Sequence, residues 1–340
     1  MIVNKNVLVI TTIAPSSNYI LKKYAKLAIK NNFEFIIIGD KKSPLNFLLN
    51  GAIYFSLKKQ KSLQFNLSKT LPINHYSRKN LGYLIAMQKN PETIIETDDD
   101  NIPLKKFFNK KKNIKQKTYV LKKSGWVNVY KFFTKKNIWP RGFALEELKN
   151  PLPPIKKISK VVCPIQQGLA DQNPDVDAIY RLTSELPIIF KKSGNISLGS
   201  GSISPFNSQN TTWFRVAYPL MYLPSYCSFR MTDIWRSFIA QRIAWTCGWS
   251  ILFHNSTVIQ KRNAHNLIRD FQDEVVGYEN NHRIMSNLVK LKLKPGVKNI
   301  RHNMFLCYQE LVKINLIDKK EIQLLKAWFD DLKIIDNNLK

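Results

Sequence analysis

The stretch TIIETDDDNIP (residues 93–103) joins a short apolar run to three consecutive aspartates. Threonine and isoleucine residues bounded by polar turn residues predict a buried strand, and such strands exclude charge. Asp98, Asp99 and Asp100 would then lie where the strand leaves the sheet. Because adjacent carboxylates repel one another, we expect a divalent cation or several hydrogen-bond donors to hold them.

The residues before this stretch predict a parallel sheet. NVLVITTIA (6–14) and FEFIIIGD (33–40) have the composition of strands, and the segment 17–32 between them is typical of a helix. A third strand at 51–57 and a helix at 77–90 follow. Strands that alternate with helices indicate an α/β fold, in which ligands bind beyond the carboxyl ends of the strands. The aspartates fall at such an end.

The remainder of the chain predicts less regular structure and then a helical tail. The segment 191–212 is rich in Ser, Gly and Asn, and we expect it to be a mobile loop that closes over a ligand. Polar residues over 262–274, His265 among them, predict an ion-pair network. We therefore predict a ligand-binding domain over residues 1–260 and a C-terminal helical extension over 261–340.

The composition is strongly basic, with 53 Lys and Arg against 24 Asp and Glu and a formal net charge of +29. Most of the excess is dispersed lysine. The dense segment 105–117 favours a solvated loop over an anion-binding one, so nucleic acid is an unfavoured partner. No apolar run of about 18 residues and no signal-peptide core is evident, which predicts a cytoplasmic protein. The four cysteines have no C-x-x-C spacing, which disfavours a thiolate metal site.

Asp98 and Asp100 suit a hard divalent cation. Alternate residues of an extended turn point to the same side, and Mg²⁺ and Mn²⁺ prefer carboxylate oxygens. The sequence contains neither G-x-G-x-x-G nor a Walker phosphate loop. Gripping a diphosphate through a metal on D-x-D is instead how glycosyltransferases of the GT-A fold hold a sugar nucleotide. A rival pair, Asp175 and Asp177, repeats the spacing in a Pro-led loop.

Nine blocks of sequence, in order over roughly residues 7–278, resemble the STELLO family of glycosyltransferase-like proteins. The blocks are VLVITTIAP, IIGDKKSP, SRKNLGYLIAM, ETDDDNIP, WPRGFALEEL, GLADQNPDVDAIYRL, PFNSQNTTWF, LPSYCSFRMTDIWRSFIAQRIAW and VIQKRNAHNLIRDFQDEVVGY. A more distant resemblance, through the aspartate triplet and the PRG and PD-x-D elements, runs to the reversibly glycosylated polypeptides, the UDP-arabinopyranose mutases.

The STELLO resemblance implies a GT-A-type, Rossmann-like fold, with a mostly parallel sheet flanked by helices and the helical extension packed on it. It also implies a nucleotide-diphosphate-sugar donor, UDP-linked in our prediction, with Mn²⁺ or Mg²⁺ at the aspartate triplet. The predicted function is metal-dependent transfer of the sugar to a glycan or lipid-linked acceptor. An anionic acceptor, or contact with the inner face of a membrane, would suit the basic surface.

For the donor we predict contacts from the ends of the first strands. Thr11, Thr12 and Asp40 would hydrogen-bond the base and ribose, and Lys42 and Arg78 would bind the diphosphate. The strand-end aspartates complete this site: Asp98 would contact ribose or sugar, with Asp99 beside it, and Asp98 and Asp100 would bind the metal. His254 would supply a further metal ligand, although a lone His beside a strand is more often a core residue.

For the transfer step we predict Asp233 as the base, with helix N-capping as its alternative role. Asp175 and Asp177 would grip the donor sugar or the acceptor. Amides of the mobile loop would bind sugar hydroxyls, since an amide both donates and accepts. These amides are Asn207, Gln209 and Asn210.

Two other functions stay open at this point. A UDP-sugar mutase would interconvert ring forms of the donor with no acceptor present. A non-catalytic nucleotide- or nucleic-acid-binding protein would explain the positive charge, but carboxylates at the strand end would repel phosphate unless a metal intervened.

Overall fold

The computed structural model describes residues 6–108, 113–155, 157–191, 193–263 and 266–339. Its strands are β1 (Asn6–Thr11), β2 (Glu34–Ile38), β3 (Ile53–Phe55), β4 (Thr93–Thr97), β5 (Asn101–Pro103), β6 (Lys115–Leu121), β7 (Gly125–Trp126), β8 (Ile158–Val162), β9 (Ile165–Asp171), β10 (Ile196–Leu198), β11 (Ser202–Ile203), β12 (Asn210–Phe214) and β13 (Ile251–Gln260). Its α-helices are α1 (Tyr19–Asn31), α2 (Leu57–Lys61), α3 (Asn66–Thr70), α4 (Lys79–Gln88), α5 (Ala178–Thr183), α6 (Thr232–Thr246), α7 (Leu267–Lys290), α8 (Ile300–Lys313) and α9 (Glu321–Asn338). Residues 109–112 of the basic segment, and His265, lie outside the described residues.

The N-terminal half of the sheet has the predicted parallel arrangement. β1 pairs in parallel with β2 and β4, and β2 pairs in parallel with β3. Alternate residues of β1 face opposite sides, so Val7 and Val9 join the core cluster that includes α4, while Leu8 and Ile10 join the cluster under α1. The carboxyl ends of β1, β2 and β4 therefore meet at one edge of the sheet.

Beyond β4 the sheet is mixed. β12 runs antiparallel between β4 and β9, and β13 pairs in parallel with β9 but antiparallel with β5 and β10. Parallel pairing of successive strands needs a long crossover, and the only α-helix between β6 and β12 in the described chain is the short α5. The predicted α/β class, a large sheet flanked by helices, is confirmed, although the sheet is parallel only in part.

The aspartate triplet lies in the turn between β4 and β5. The Asn101 amide donates to the Asp98 carbonyl at 3.3 Å, and the Lys261 amide donates to the Asp100 carbonyl at 2.9 Å. β5 then pairs antiparallel with β13. The turn is thus fixed between two strands at the carboxyl edge of the sheet.

The segment 191–212 is not the mobile loop that its composition suggests. It contains β10 and β11 and starts β12, and residues 202–210 are all buried. Distant side chains satisfy its backbone: the Ser204 amide donates to Gln241 Oε1 at 3.1 Å, and the Phe206 amide donates to Ser237 Oγ at 3.3 Å. Partners so far away in sequence could not be identified from the local Ser, Gly and Asn content.

The C-terminal helices are tied to the rest of the fold by buried carboxylates. Glu321 of α9 accepts hydrogen bonds from the amides of Ser225 and Tyr226 at 2.9 and 2.7 Å. Asp331 of the same helix accepts from the first amides of α3 at 2.7 and 2.9 Å. Within the parts of the chain that are described, no helix has the length and apolar character needed to cross a membrane.

Candidate active site

Two adjoining cavities open at the carboxyl edge of β1, β2 and β4. We call the one of about 290 Å³ the aspartate cavity; it is lined by Thr11, Tyr76, Asp98, Asp99, Asp100, Arg141, Asp175, Ser208, Gln209, Phe229, Arg230, Asp233, Gln260 and Arg262. We call the one of about 400 Å³ the outer cavity; it is lined by Thr11, Thr12, Ile13, Ile38, Gly39, Asp40, Lys42, Asn74, His75, Tyr76, Arg78, Asp99, Phe229 and Asn263. Shared lining residues, Asp99 and Phe229 among them, make the two one continuous groove.

Each aspartate of the triplet has a different partner. The fully buried Lys79 ammonium lies 2.9 Å from Asp98 Oδ1. Thr12 Oγ1 donates to Asp99 Oδ2. Gln260 Nε2 donates to Asp100 Oδ2 at 3.0 Å. Lys79 is therefore the single cation in direct contact with the triplet among the described residues.

The three carboxylates of the triplet have too little positive charge around them to balance their own. Burial raises the pKa of Asp98, against the lowering effect of Lys79, and burial also raises the pKa of Asp99. Burial, followed by repulsion from Asp98, raises the pKa of Asp100 to about 7. Such values indicate a site that a further positive charge would stabilise.

Two amide side chains beside Asp100 hold unpaired oxygens. Asn101 and Gln260, which face each other across β5 and β13, both donate an N–H to Asp100. Among the described residues, Asn101 Oδ1 and Gln260 Oε1 are buried and accept no hydrogen bond. A buried acceptor without a partner is costly, so these oxygens are suited to a cation or a donor group that the chain itself does not supply.

Arg141 organises the carboxylates on the other side of the aspartate cavity. Its Nε and Nη2 donate to the two oxygens of Asp175 at 2.8 and 2.9 Å, and Nη2 also lies 3.1 Å from Asp233 Oδ1. Burial alone would raise the pKa of Asp175, but the guanidinium outweighs it and lowers the pKa to about 2. Asp233 also accepts from the Ser208 amide at 3.1 Å. It lies in the first turn of α6 but does not cap that helix.

Asp177 is separated from Asp175 in role. It is the N-cap of α5, where its Oδ1 accepts from the Tyr180 amide at 2.8 Å, and its Oδ2 accepts from Trp139 Nε1 at 2.6 Å. Burial raises its pKa to about 6. Its side chain does not line either cavity, so a direct contact with donor or acceptor is not supported by this placement.

Arg78 and Lys42, which we predicted to bind the diphosphate, do not contact the aspartate triplet. Arg78 borders the outer cavity but is buried, and its guanidinium donates to Gln60 Oε1 and to the carbonyls of Leu71 and Pro72. Lys42 is exposed at the rim of the same cavity. The cation that reaches the triplet is Lys79, the residue after Arg78. Because the two are neighbours at the start of α4, their side chains point in different directions and only that of Lys79 faces the aspartates.

Thr11, Thr12 and Asp40 lie at the strand ends as predicted and line the outer cavity. The carboxylate of Asp40 accepts hydrogen bonds from the amides of Asn74 and His75 at 2.7 and 2.8 Å. Asp40 therefore holds the segment that carries His75 and Tyr76 against the cavity.

The three amides of the segment 191–212 have separate positions. Gln209 lines the aspartate cavity, and Asn207 Nδ2 donates to Asp175 Oδ2 at 2.8 Å. Asn210, the first residue of β12, lines a separate cavity, and its Nδ2 donates to Thr257 Oγ1 at 2.8 Å. Asn210 therefore lies away from the other two.

His254 is not brought to the aspartates. It lies near the middle of β13, six residues before Gln260, and lines a separate cavity of about 310 Å³ together with Asn210. The described residues contain no cluster of three or more His, Cys, Asp or Glu able to hold a metal ion. His254 therefore does not line the aspartate cavity, and its role as a metal ligand stays a prediction. That prediction followed from a residue type beside a strand, which does not say how far along the strand the site lies.

Two further arginines, Arg230 and Arg262, line the aspartate cavity, and neither was predicted as a ligand-binding residue. Arg230 pairs with Glu274 at 2.6 Å, and Arg262 pairs with Asp270, so the predicted ion-pair network is present in the described part of 262–274. Arg262 Nε is buried and has no hydrogen-bond partner among the described residues.

Comparisons with known proteins agree with the motifs. Residues 230–339, which contain Arg230 and Asp233, match the family model of the STELLO glycosyltransferases. Probable glycosyltransferase STELLO1 from Arabidopsis thaliana is 25% identical over 336 residues, which cover 92% of this chain and 42% of the relative. Probable glycosyltransferase STELLO2 from the same plant is 29% identical over 246 residues, covering 66% of this chain and 32% of the relative. The chain thus spans less than half the length of either relative.

A solved structure titled "Crystal Structure of a Mycobacterial Protein" aligns with a TM-score of 0.39 and 9% identity, over 84% of this chain and 74% of that chain. The family match and the two plant relatives confirm the resemblance that the motifs indicate: the chain is related to the STELLO glycosyltransferases.

Proposed function

We propose that the chain is a glycosyltransferase that takes a sugar from a nucleotide-diphosphate donor, UDP-linked, with the help of a divalent cation. The observation that carries this proposal is the continuous groove: the outer cavity at the ends of β1 and β2 meets the aspartate cavity at Asp99. Each cavity alone is near the lower end of the ~300–1,000 Å³ usual for small-molecule sites, and the two together offer room for a ligand larger than either would hold alone.

The nucleoside end of the donor would occupy the outer cavity. Its lining offers the hydroxyls of Thr11 and Thr12 for the ribose and the exposed ring of Phe229 for an aromatic base. The ring of Phe229 makes edge contacts with the rings of His75 and Tyr76, with centroid separations of 5.7 and 6.1 Å. These contacts orient the Phe229 ring at the junction of the cavities.

The diphosphate would lie at the triplet, where a divalent cation fits the donor set. Asp98 and Asp100 supply ionisable oxygens, and Asn101 Oδ1 and Gln260 Oε1 are unpaired. Mg²⁺ is usually held by one or two carboxylates together with substrate phosphates, so the absence of a three-carboxylate cluster in the described residues is compatible with it. When bound, the cation would neutralise the leaving diphosphate. Arg262, with its unpaired Nε, would donate to a phosphate oxygen.

The transferred sugar and its acceptor would meet at the arginine-linked pair Asp175 and Asp233. Asp175 is a poor base, because a pKa of about 2 means that its carboxylate has little affinity for a proton, and bidentate contact with Arg141 engages both oxygens. We assign it to orienting Arg141 and binding sugar hydroxyls. Asp233 lines the same cavity at the start of α6, and we assign it the acceptor proton.

The experiment is a thermal-shift screen of nucleotide sugars, each with Mn²⁺, with Mg²⁺ and with chelator. We expect a rise in Tm for one nucleotide series that requires the metal, followed by turnover of its sugar in acceptor assays. Conversion of the donor ring form without an acceptor would replace the transferase with a mutase at the same site. No stabilisation by any nucleotide under any condition would overturn the donor site.

A further inference from the structure

One face of the sheet carries a surface that the proposed site does not use. The segment 41–52, which connects β2 to β3, contributes Phe47 to the core cluster under α1, so the segment and the helix cover the same face. They are direct neighbours, because a Cβ on Gly51 would lie 2.6 Å from Ile29 Cδ1 of α1. The outward side of this layer is the surface in question.

Large apolar side chains protrude from this layer. Leu45 and Leu48 are 96% and 90% exposed. Ile13 and Tyr19, in the loop before α1 and at its start, are also more than half exposed. The two loops are joined, since Ser43 Oγ donates to the Thr12 carbonyl at 2.7 Å. Single exposed leucines are ordinary, but two that stand almost free of the protein beside further apolar residues form a patch that needs a partner.

The surface around the patch is positively charged. The segment 13–50 contains six lysines and two acidic residues. Neither acid opposes the lysines at the surface: Glu34 pairs with Lys89 at 2.8 Å, and Asp40 accepts from backbone amides. The exposed lysines of α1 follow one another at four-residue spacing and share a side of the helix. They are Lys22, Lys26 and Lys30.

We propose that this layer docks the protein on an anionic lipid surface, with Leu45 and Leu48 inserted among the lipids and the lysines against the headgroups. The lysines complement an anionic surface, and the leucines favour lipid over a dissolved polyanion, which offers no apolar phase to enter. Ile13 and Lys42 also line the outer cavity, so docking would set the mouth of the groove beside the lipid. Docking on lipid would not depend on the donor chemistry proposed above.

The test is sedimentation of the full chain with vesicles of phosphatidylcholine, with and without phosphatidylglycerol, in the absence of any nucleotide. We expect binding only when phosphatidylglycerol is present. The double variant Leu45→Ser/Leu48→Ser should lower the partition coefficient about tenfold or more, and each of Lys22→Gln and Lys26→Gln should lower it about fivefold. Leu182→Ser is the matched control, because Leu182 is 46% exposed on α5, over the other face of the sheet.

The substituted side chains are exposed, so an unchanged Tm would show that the variants remain folded. Binding that is unaffected by Leu45→Ser/Leu48→Ser overturns the proposal. So does equal binding to phosphatidylcholine alone. If the serine variant binds like the parent and heparin displaces both, the layer is a site for dissolved polyanions and the lipid assignment is wrong.

Discussion

The guanidinium of Arg236 holds both carboxylate oxygens of Glu96, at 2.9 and 3.0 Å, with both side chains buried. Glu96 belongs to β4, which leads into the aspartate triplet, and Arg236 belongs to α6, which carries Asp233. Tyr83 and Trp213 donate to the same carboxylate. The two halves of the candidate active site are thus joined by one buried ion pair.

This pair predicts a large effect of removing one partner. Arg236→Met should lower the free energy of unfolding by ~3–5 kcal/mol, because it leaves an uncompensated buried carboxylate. Adding Glu96→Gln to it should cost less than the sum of the single changes. Urea unfolding of the three variants measures both. The control is Arg301→Met, whose pair with Asp336 is exposed and should contribute no more than ~1 kcal/mol; equal losses at 236 and 301 would contradict the prediction.

Asp100 predicts a stability that falls as pH rises. A carboxyl whose pKa is raised to about 7 in the folded protein favours folding in its protonated form. Its contribution is complete below the ordinary value of ~4 and is lost as pH approaches 7. With chelator present, Tm should therefore decrease between pH 5 and pH 8, and Asp100→Asn should remove much of the decrease. Added Mn²⁺ should raise Tm more at pH 8, where the carboxyl is ionised.

Two other buried carboxyls contribute to the pH dependence, Asp177 in a range that overlaps that of Asp100, and Asp175 at lower pH. Asp177, with a pKa of about 6, contributes with the same sign at lower pH, and Asp175, with a pKa of about 2, contributes stability that is lost only as pH falls from ~4 toward 2. Asp336→Asn, which removes an exposed carboxyl paired with Arg301, is the control for the substitution itself. If Tm of the Asp100→Asn variant decreases with pH as steeply as that of the parent, the triplet does not set the pH dependence.

Asp175 and Asp177 form a matched pair for the transfer step. Asp175→Asn should reduce turnover about 100-fold, because Arg141 loses its bidentate partner and the carboxylate that we propose to bind sugar hydroxyls is removed. Asp177→Asn should retain turnover, because Asp177 does not line the cavity and asparagine also caps helices. Its stability should fall, since the amide NH2 would replace the oxygen that accepts from Trp139 Nε1. Initial rates and urea unfolding of both variants distinguish the roles. If Asp177→Asn lost as much turnover as Asp175→Asn while its stability was unchanged, Asp177 would have a direct role in the transfer step.

The parallel half of the fold could be predicted because its signals are local. β1, α1, β2 and β4 each show their period within a few residues, and the aspartates follow the last of them directly. The mixed half could not, because β12 is fixed by its pairing with β4 and β9 and not by its own composition.

The same distinction applies to the site. Residues at strand ends, such as Thr12, Asp40 and Asp98, were placed correctly by their position in the sequence. Arg141 acts through Asp175 and Asp233, which are 34 and 92 residues away in sequence, and a single chain shows no sign of that contact. Side-chain direction was the other gap: Lys79, and not Arg78, faces the triplet.

Substitutions of His254 and Asp98 should have different effects on metal binding. If the cation binds at the triplet, His254→Ala should leave metal-dependent stabilisation by the nucleotide sugar unchanged, because His254 lines a different cavity. Asp98→Asn should abolish the stabilisation, since it removes a charged ligand beside Asp100. Titration of Mn²⁺ monitored by Tm, at fixed nucleotide sugar, gives the apparent affinity of each variant. A loss of affinity for His254→Ala as large as that for Asp98→Asn would place the metal at the cavity of β13 and away from the groove that the donor is proposed to occupy.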